Sequence, residues 1–517
     1  LILREYDFPA DFLIFVRMAV ESVLLASRLS FKYINAMFNK EVYVRRRKVL
    51  IDKMSETAPE GNRGIVLFLG NAEAPAQYKD NCYNFRQDSS WLYFFGIDRP
   101  LYAAVIDLDD GKETVFSDDV EIDDIIWMGP QEAVRTIAES VGVGASAPYN
   151  AAADVISSAR RSGRPVHFLP PSRYYNTIKL ASLTGCTLDA VSEVGPVSSG
   201  GGMHASLELV KAVISMRIVK EDCEIEEIDK AGAIGQEMHN MARNNVKPGV
   251  MEQEVVGKME GVTLGKGWGV SFPTILSQHG ETLHNHLHDK LIEPGNLMVI
   301  DAGAENNMHY ASDFTRTLPT GGKFTKKQRE IYSIVYDCNE YAFSLIKPGV
   351  SYRYVHLSVA KKMLEELRAL DIVRGNLDNM VEAGVAGLFM PHGLGHNMGL
   401  DVHDMEDLGE DLVGYDPDQK RSSQLGLGSL RMARKLVPGN VITDEPGIYF
   451  IPALINKWKA EKADKGYVNY HRLESYYNFG GIRLEDDVLV TPDGARRTGP
   501  NRLPITPDDV EAAMSGE

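Results

Sequence analysis

Cysteine is scarce in this chain. Four of 517 residues, Cys82, Cys186, Cys223 and Cys338, are scattered without C-x-x-C spacing, which excludes a zinc knuckle and a disulfide framework. Isolated thiols of this kind serve as small buried hydrophobes, and a reducing, cytoplasmic setting is the expectation. Positive charge is also short. Lys and Arg number 55 against 72 Asp and Glu, a formal net charge of -17, whereas phosphate recognition needs a positive face; no nucleic-acid partner is expected. The stretch from Phe12 to Leu25 is apolar but interrupted by Arg17 and Glu21, so it fits neither a signal h-region nor a membrane span. There is no G-x-S-x-G elbow, no phosphate loop, no internal repeat and no low-complexity tract, which removes serine-hydrolase and nucleotide chemistry.

What is present is a globular composition. A hydrophobic content of 44% with 25% charged residues allows a sizeable core, and the length exceeds what one ordinary core supports, so two or more domains are expected. The region from about Met37 to Ser199 mixes strand-like runs, Ile65 to Leu69 and Ala103 to Asp107, with helical stretches, the pattern of a small α/β domain. Trp91, Tyr93, Phe94 and Phe95 are expected in its core, since aromatic clusters mostly supply packing area. SSGGGM, from Ser198 to Met203, reads as a linker. Helices follow, with Lys247 to Gly249 ending one, and more around Glu330 to Ile346 and Val355 to Leu370, interleaved with strands and hairpins. That predicts helices packed on a curved, largely antiparallel sheet.

The chemistry is concentrated in five segments, VIDAGAE, YASDFTRT, PHGLGHNMGLDVHD, ITDEPGIYF and GGIRLEDD. They carry Asp301, Asp313, His396, Glu445 and Glu485. Four carboxylates and one imidazole suit two hard or borderline divalent ions, because their charges offset and oxygen donors favour manganese or magnesium. Asp301 and Asp313 flank a stretch able to fold back as a hairpin and bring distant carboxylates together. Arg483 and Glu485 are two apart, so on a strand they share a face, where the arginine would hold the glutamate or a substrate group. His392 and His396 have helical spacing, but Gly393 and Gly395 argue for a loop instead.

The order and local sequence of these motifs resemble the aminopeptidase P and prolidase family, proline-specific dinuclear metallopeptidases, and the resemblance runs from about Met37 onward. It implies an α/β (α+β) chain with a pita-bread catalytic domain and a smaller amino-terminal domain of the creatinase/aminopeptidase P type, to which NFRQDSSWLYFFGI and IIWMGP correspond. The implied divisions are a dispensable or non-native extension at 1–36, the amino-terminal domain at 37–199, a linker and leading helix at 200–223, the metallopeptidase domain at 224–500 and a tail at 501–517. The implied ligands are Asp301, Asp313, His396, Glu445 and Glu485, holding two manganese ions, with cobalt or zinc as alternatives. Glu445, His284, His392 and His403 are the implied catalytic groups, with Arg431, Arg483 and Tyr449 on substrate. His279, His286 and His288 match no motif and are expected to face solvent.

Three departures stand out. One extra residue separates Asp301 from Asp313, which a bulge would absorb; Asp444 adds a carboxylate beside Glu445; and Asn397 replaces a bulkier side chain, altering the expected pocket. Within the family, LYFFGI favours an Xaa-Pro aminopeptidase, whereas Arg431 in SLRMARK and the long Phe450 to Phe479 spacer favour an Xaa-Pro dipeptidase, with the guanidinium holding a dipeptide carboxylate. The aminopeptidase is the leading expectation, with the dipeptidase second and a non-catalytic binding module of the same fold a remote third. Peptides with proline at the second position are the expected partners, no membrane is involved, and a homo-oligomer is implied by analogy.

Overall fold

The structure, a computed structural model, describes residues 38–56, 63–197 and 204–515. The extension expected before Met37 and the SSGGGM linker lie outside the described residues. Two compact units divide between Val213 and Ile214.

The first unit is built on five strands in the order Ser146–Ala147, Glu113–Phe116, Ala103–Asp107, Ile65–Leu69, Val166–His167. The middle three pair antiparallel and both outer pairings are parallel. Ile65–Leu69 and Ala103–Asp107 are buried nearly throughout, as apolar runs must be when a sheet is covered on both faces. Ile156 and Leu180 from helices Ala151–Arg161 and Tyr174–Thr184 pack with Ile65, Leu67 and Val105. Every residue of helix Ser89–Phe95 is buried, including the four aromatics assigned to the core. The Asp88 side chain caps it by accepting from Trp91 N at 2.8 Å. By contrast, helix Ile122–Met128 buries none of its residues, and Trp127 is 86% exposed.

In the second unit, helices Asp222–Asn245, Glu252–Lys266, Lys326–Leu345 and Tyr352–Ala369 pack on antiparallel strands. The buried positions of Lys326–Leu345 are Gln328, Ile331, Tyr332, Ile334, Val335, Cys338, Asn339 and Ala342, the three-and-four spacing of one helical face. That helix begins earlier than its apolar pattern suggests because Thr325 and Gln328 form a capping box. Leu297–Ala302, buried at all six positions, lies between Ile275–Ser277 and Phe314–Pro319. A second sheet joins Val441–Asp444, Asp486–Val490 and Ala495–Arg497, and a ribbon pairs Gly447–Tyr449 with Gly481–Arg483. Single bridges, Thr315 to Glu485 and Asn397 to Ile442, stitch these pieces together. Segments far apart in sequence therefore meet along one line. The last stretch, expected as a tail, carries helix Pro507–Ser515, whose Val510 is fully buried in the same core.

Candidate metal centre

Asp301 and Asp313 are presented by one hairpin. Its register is unbroken from Leu297 opposite Pro319 through Ala302 opposite Phe314 to Glu305 opposite Ala311. The additional residue is therefore not a bulge in the ladder between the carboxylates. It is absorbed at the tip, where Asn306 N donates to Tyr310 O and His309, at φ 62°, closes the turn. Between the two aspartates, Gly303 passes so near its partner strand that a Cβ would lie 1.7 Å from Ser312 O. Any other residue there would force the hairpin apart.

His396 lies in an irregular loop, as its flanking glycines require. A Cβ on Gly395 would sit 2.1 Å from Thr443 O, so the loop reaches the neighbouring strand only because that side chain is absent. His396 N and O both bond Thr443, and His396 Nδ1 donates to Asn397 O at 3.0 Å. That bond fixes the tautomer and leaves the Nε2 lone pair facing Asp313 Oδ2 at 3.4 Å, two acceptor atoms that a cation would bridge.

Glu445 stands at the junction of strands Val441–Asp444 and Gly447–Tyr449, where Pro446 interrupts the ladder. Glu485 occupies the corresponding break between Gly481–Arg483 and Asp486–Val490, and accepts from Thr315 Oγ1 at 2.7 Å. Asp313, His396 and Glu485 place one ligand atom each within 4.8 Å of one another. Asp301 and Glu445 line the same cavity, of about 430 Å³, together with His284, His392, His403, Arg431 and Arg483.

Electrostatics single this cavity out. Burial, then the charge of Asp301, pushes the Asp313 carboxyl well above its usual range. Burial and Asp313 do the same to Glu485, and burial raises Glu445 to about 7. Asp301 Oδ1 and Asp313 Oδ1 are buried with no hydrogen-bond partner. Crowded carboxylates with unspent lone pairs and an imidazole nitrogen fit divalent cations, which would replace the missing partners and favour the ionised forms.

Several assignments change at this level. Arg483 does not hold Glu485: its Nη2 contacts Asp301 Oδ2 at 2.5 Å, its Nη1 donates to Tyr449 OH at 2.8 Å and its Nε to Thr315 Oγ1 at 3.2 Å. Tyr449 is fully buried and outside the cavity lining; its hydroxyl serves Arg483 and, at 3.0 Å, His392 Nε2. His392 donates from Nδ1 to Gly393 O, and burial, then Arg483, lowers it to about 3, so this imidazole is neutral. Asp444 does not add a carboxylate to the cavity, because strand alternation turns it to the opposite face. There it is fully buried with neither oxygen hydrogen-bonded, and burial pushes its carboxyl well up. Asn397 faces Met432 Sδ and does not line the cavity. Of the three unmatched histidines, His279 and His286 are exposed as expected, His286 at the rim of the cavity beside His284, and His288 is half-buried with Nδ1 3.2 Å from Leu276 O.

Motif reading also passed over Thr315, Thr443 and Asp487. Asp487 Oδ2 accepts from Asp313 N at 2.9 Å, so a carboxylate behind the ligand fixes the backbone that presents it. The only sequence signal for these was period-two placement beside a ligand on a short strand.

The model of metallopeptidase family M24 matches residues 226–492, and that of the aminopeptidase P N-terminal domain matches residues 43–167. The chain is 31% identical over 487 residues to the Xaa-Pro dipeptidase of Homo sapiens, covering 92% of this chain and 93% of that protein. The chain belongs to family M24. As a family M24 peptidase it is a hydrolase, with the pita-bread catalytic domain and α/β amino-terminal domain of its relatives. A probable Xaa-Pro aminopeptidase of Aspergillus fumigatus is 30% identical, covering 84% of this chain and 89% of that one. Aminopeptidase P from E. coli with the inhibitor Pro-Leu superposes with a TM-score of 0.71 at 26% identity, covering 93% of this chain and 99% of that chain. Among the described residues of this M24 chain, no helix is long and apolar enough to cross a membrane.

Proposed function

We propose that this M24 peptidase is a manganese-dependent Xaa-Pro aminopeptidase that releases the N-terminal residue from peptides with proline in second place. The observation that carries this reading is the single cavity in which Asp301, Asp313, His396, Glu445 and Glu485 converge with His284, His392 and His403. Those five side chains would hold two manganese ions, which when bound lower the pKa of a water and polarise the scissile carbonyl.

The chain's own groups do the rest. Glu445, half-buried and raised to about 7, takes a proton from water and returns it to the proline nitrogen as the C–N bond breaks. His403 donates from Nδ1 to Glu406 at 3.0 Å, which leaves Nε2 of the neutral ring as an acceptor for an N–H of the substrate. His392, neutral and fixed by Tyr449, orients without exchanging protons. Arg483 keeps Asp301 aimed. Proline offers no N–H, so no acceptor is needed opposite it and the cavity must instead admit its fixed φ.

A second reading, restriction to Xaa-Pro dipeptides, is favoured by Arg431 in the cavity wall, where a guanidinium would meet a free carboxylate. Assembly as a homo-oligomer is part of the proposal, and the unburied apolar helix Ile122–Met128 offers a surface for it. The test is hydrolysis of Gly-Pro beside a longer Xaa-Pro-Xaa peptide with manganese added. Cleavage of the longer peptide is the expected result, whereas cleavage of Gly-Pro alone overturns the aminopeptidase in favour of the dipeptidase.

A further inference from the structure

His403, Glu406 and Arg431 form a connected chain at the cavity wall. Glu406 Oε2 accepts from His403 Nδ1 at 3.0 Å and also contacts Arg431 Nη1. The same Arg431 nitrogen reaches Glu410 Oε1 at 3.2 Å, and Glu410 Oε2 in turn pairs with Arg421 at 2.9 Å. Arg431 and His403 line the cavity; Glu406 and Glu410 do not. The Glu406 side chain is 15% exposed against 36% for Arg431, so the more protected partner sits behind the guanidinium. Burial opposes the Glu406 charge, but the hydrogen bond from His403 and the positive charge around it, Arg431 included, outweigh burial and keep the carboxyl low.

This arrangement sets what Arg431 can recognise. A free carboxylate approaching it has to compete with Glu406 for the same nitrogen and meets that carboxylate's repulsion at short range. A proline whose carbonyl is amidated, as inside a longer peptide, brings no such charge. We infer that Glu406 is a specificity and positioning residue: by occupying Arg431 while holding His403, it turns the cavity against Xaa-Pro dipeptides and toward peptides that continue beyond proline. This rests on the Xaa-Pro exopeptidase reading above and names its substrate class.

The test compares Ala-Pro, Ala-Pro-amide and Ala-Pro-Ala on the full chain loaded with manganese. Ala-Pro and its amide have nearly the same size, so the ratio of their KM values isolates the carboxylate. In the wild type this ratio should be about ten or more. Glu406→Gln should lower the KM for Ala-Pro about tenfold while leaving that of the amide within about twofold, and should lower kcat for both by a common factor through His403. Adding Arg431→Ala should abolish the gain. Glu410→Gln, at a carboxylate 42% exposed, should shift the ratio the same way to a smaller extent, and it carries the test should Glu406→Gln not fold. A wild type that prefers Ala-Pro to its amide, or a ratio unmoved in the variants, overturns the inference. Failure of the wild type to cleave any of the three overturns the exopeptidase function itself, a different result from cleavage with an unmoved ratio.

Discussion

Arg483 Nη2 contacts Asp301 Oδ2 at 2.5 Å, across two strands that are distant in sequence, and both side chains are nearly shut off from solvent. Burial alone would push the guanidinium down, but Tyr449, Asp301 and Glu485 more than offset this and hold it charged. The contact takes up one oxygen of Asp301 and leaves Oδ1 free of hydrogen bonds. One arginine thus fixes the Asp301 carboxylate on one side and, through Tyr449, His392 on the other.

Removing that arginine should leave Asp301 without its cation, the cavity's other guanidinium, Arg431, being paired with Glu406. Arg483→Met is expected to destabilise the metal-free protein by about 3 to 5 kcal/mol, the cost of an uncompensated buried charge, and added manganese should recover part of it. Thermal unfolding with and without metal checks this. Equal losses under both conditions would make Arg483 a packing residue.

Asp313→Asn removes a donor that has no other partner on Oδ1 and weakens the cluster with His396 and Glu485. Metal content measured on the purified variant should fall together with activity, while the amino-terminal unit keeps its fold. Full activity with two ions per chain would refute the assignment.

Glu445→Gln keeps shape and loses the proton carrier. Turnover should drop about a hundred- to ten-thousandfold, more than the change in metal content explains. Recovery of full turnover in excess manganese would reduce Glu445 to a ligand.

His356 provides a pH signature of its own. It is buried at 3% exposure with Nδ1 unpartnered, and burial, then the charge of Arg353, lowers it from 6.5 to about 4. Between those values the unfolded chain binds the proton that the folded one refuses. Its neutral form is therefore fully accommodated above pH ~6.5, and stability is lost as pH falls through the folded value near 4, by about 3 kcal/mol from this group. The Tm difference between wild type and His356→Met should shift in favour of the variant as pH drops from 7.5 to 4.5. A difference independent of pH would show that the imidazole is protonated inside the fold.

Asp301, Asp313, His396, Glu445 and Glu485 stood out as candidate donors in the sequence because each sits beside residues with their own local signatures, and Asp313, His396 and Glu485 come together in the fold. A glycine permits close approach at Gly303 and Gly395, a proline interrupts the strand at Pro446, and alternating apolar residues mark the strands themselves. Helix positions in the second unit followed from apolar periodicity, while their starts moved by a few residues, to Lys326 behind the Thr325 cap and to Tyr352 without a side-chain cap. Tertiary structure alone decided which partner each polar group takes. Period-two alternation placed Arg483 and Glu485 on one face, but the partner strand brought Asp301 and Tyr449 within reach of the guanidinium. Asp444 turned away from Glu445 for the same geometric reason, successive residues on a strand pointing to opposite faces. Nor does any local pattern tie Glu406 to Arg431, 25 residues apart, or Asp313 to Asp487, 174 apart. Sequence specifies which groups are available and which backbone can approach closely; the pairing of buried charges depends on distances that exist only after the strands are assembled.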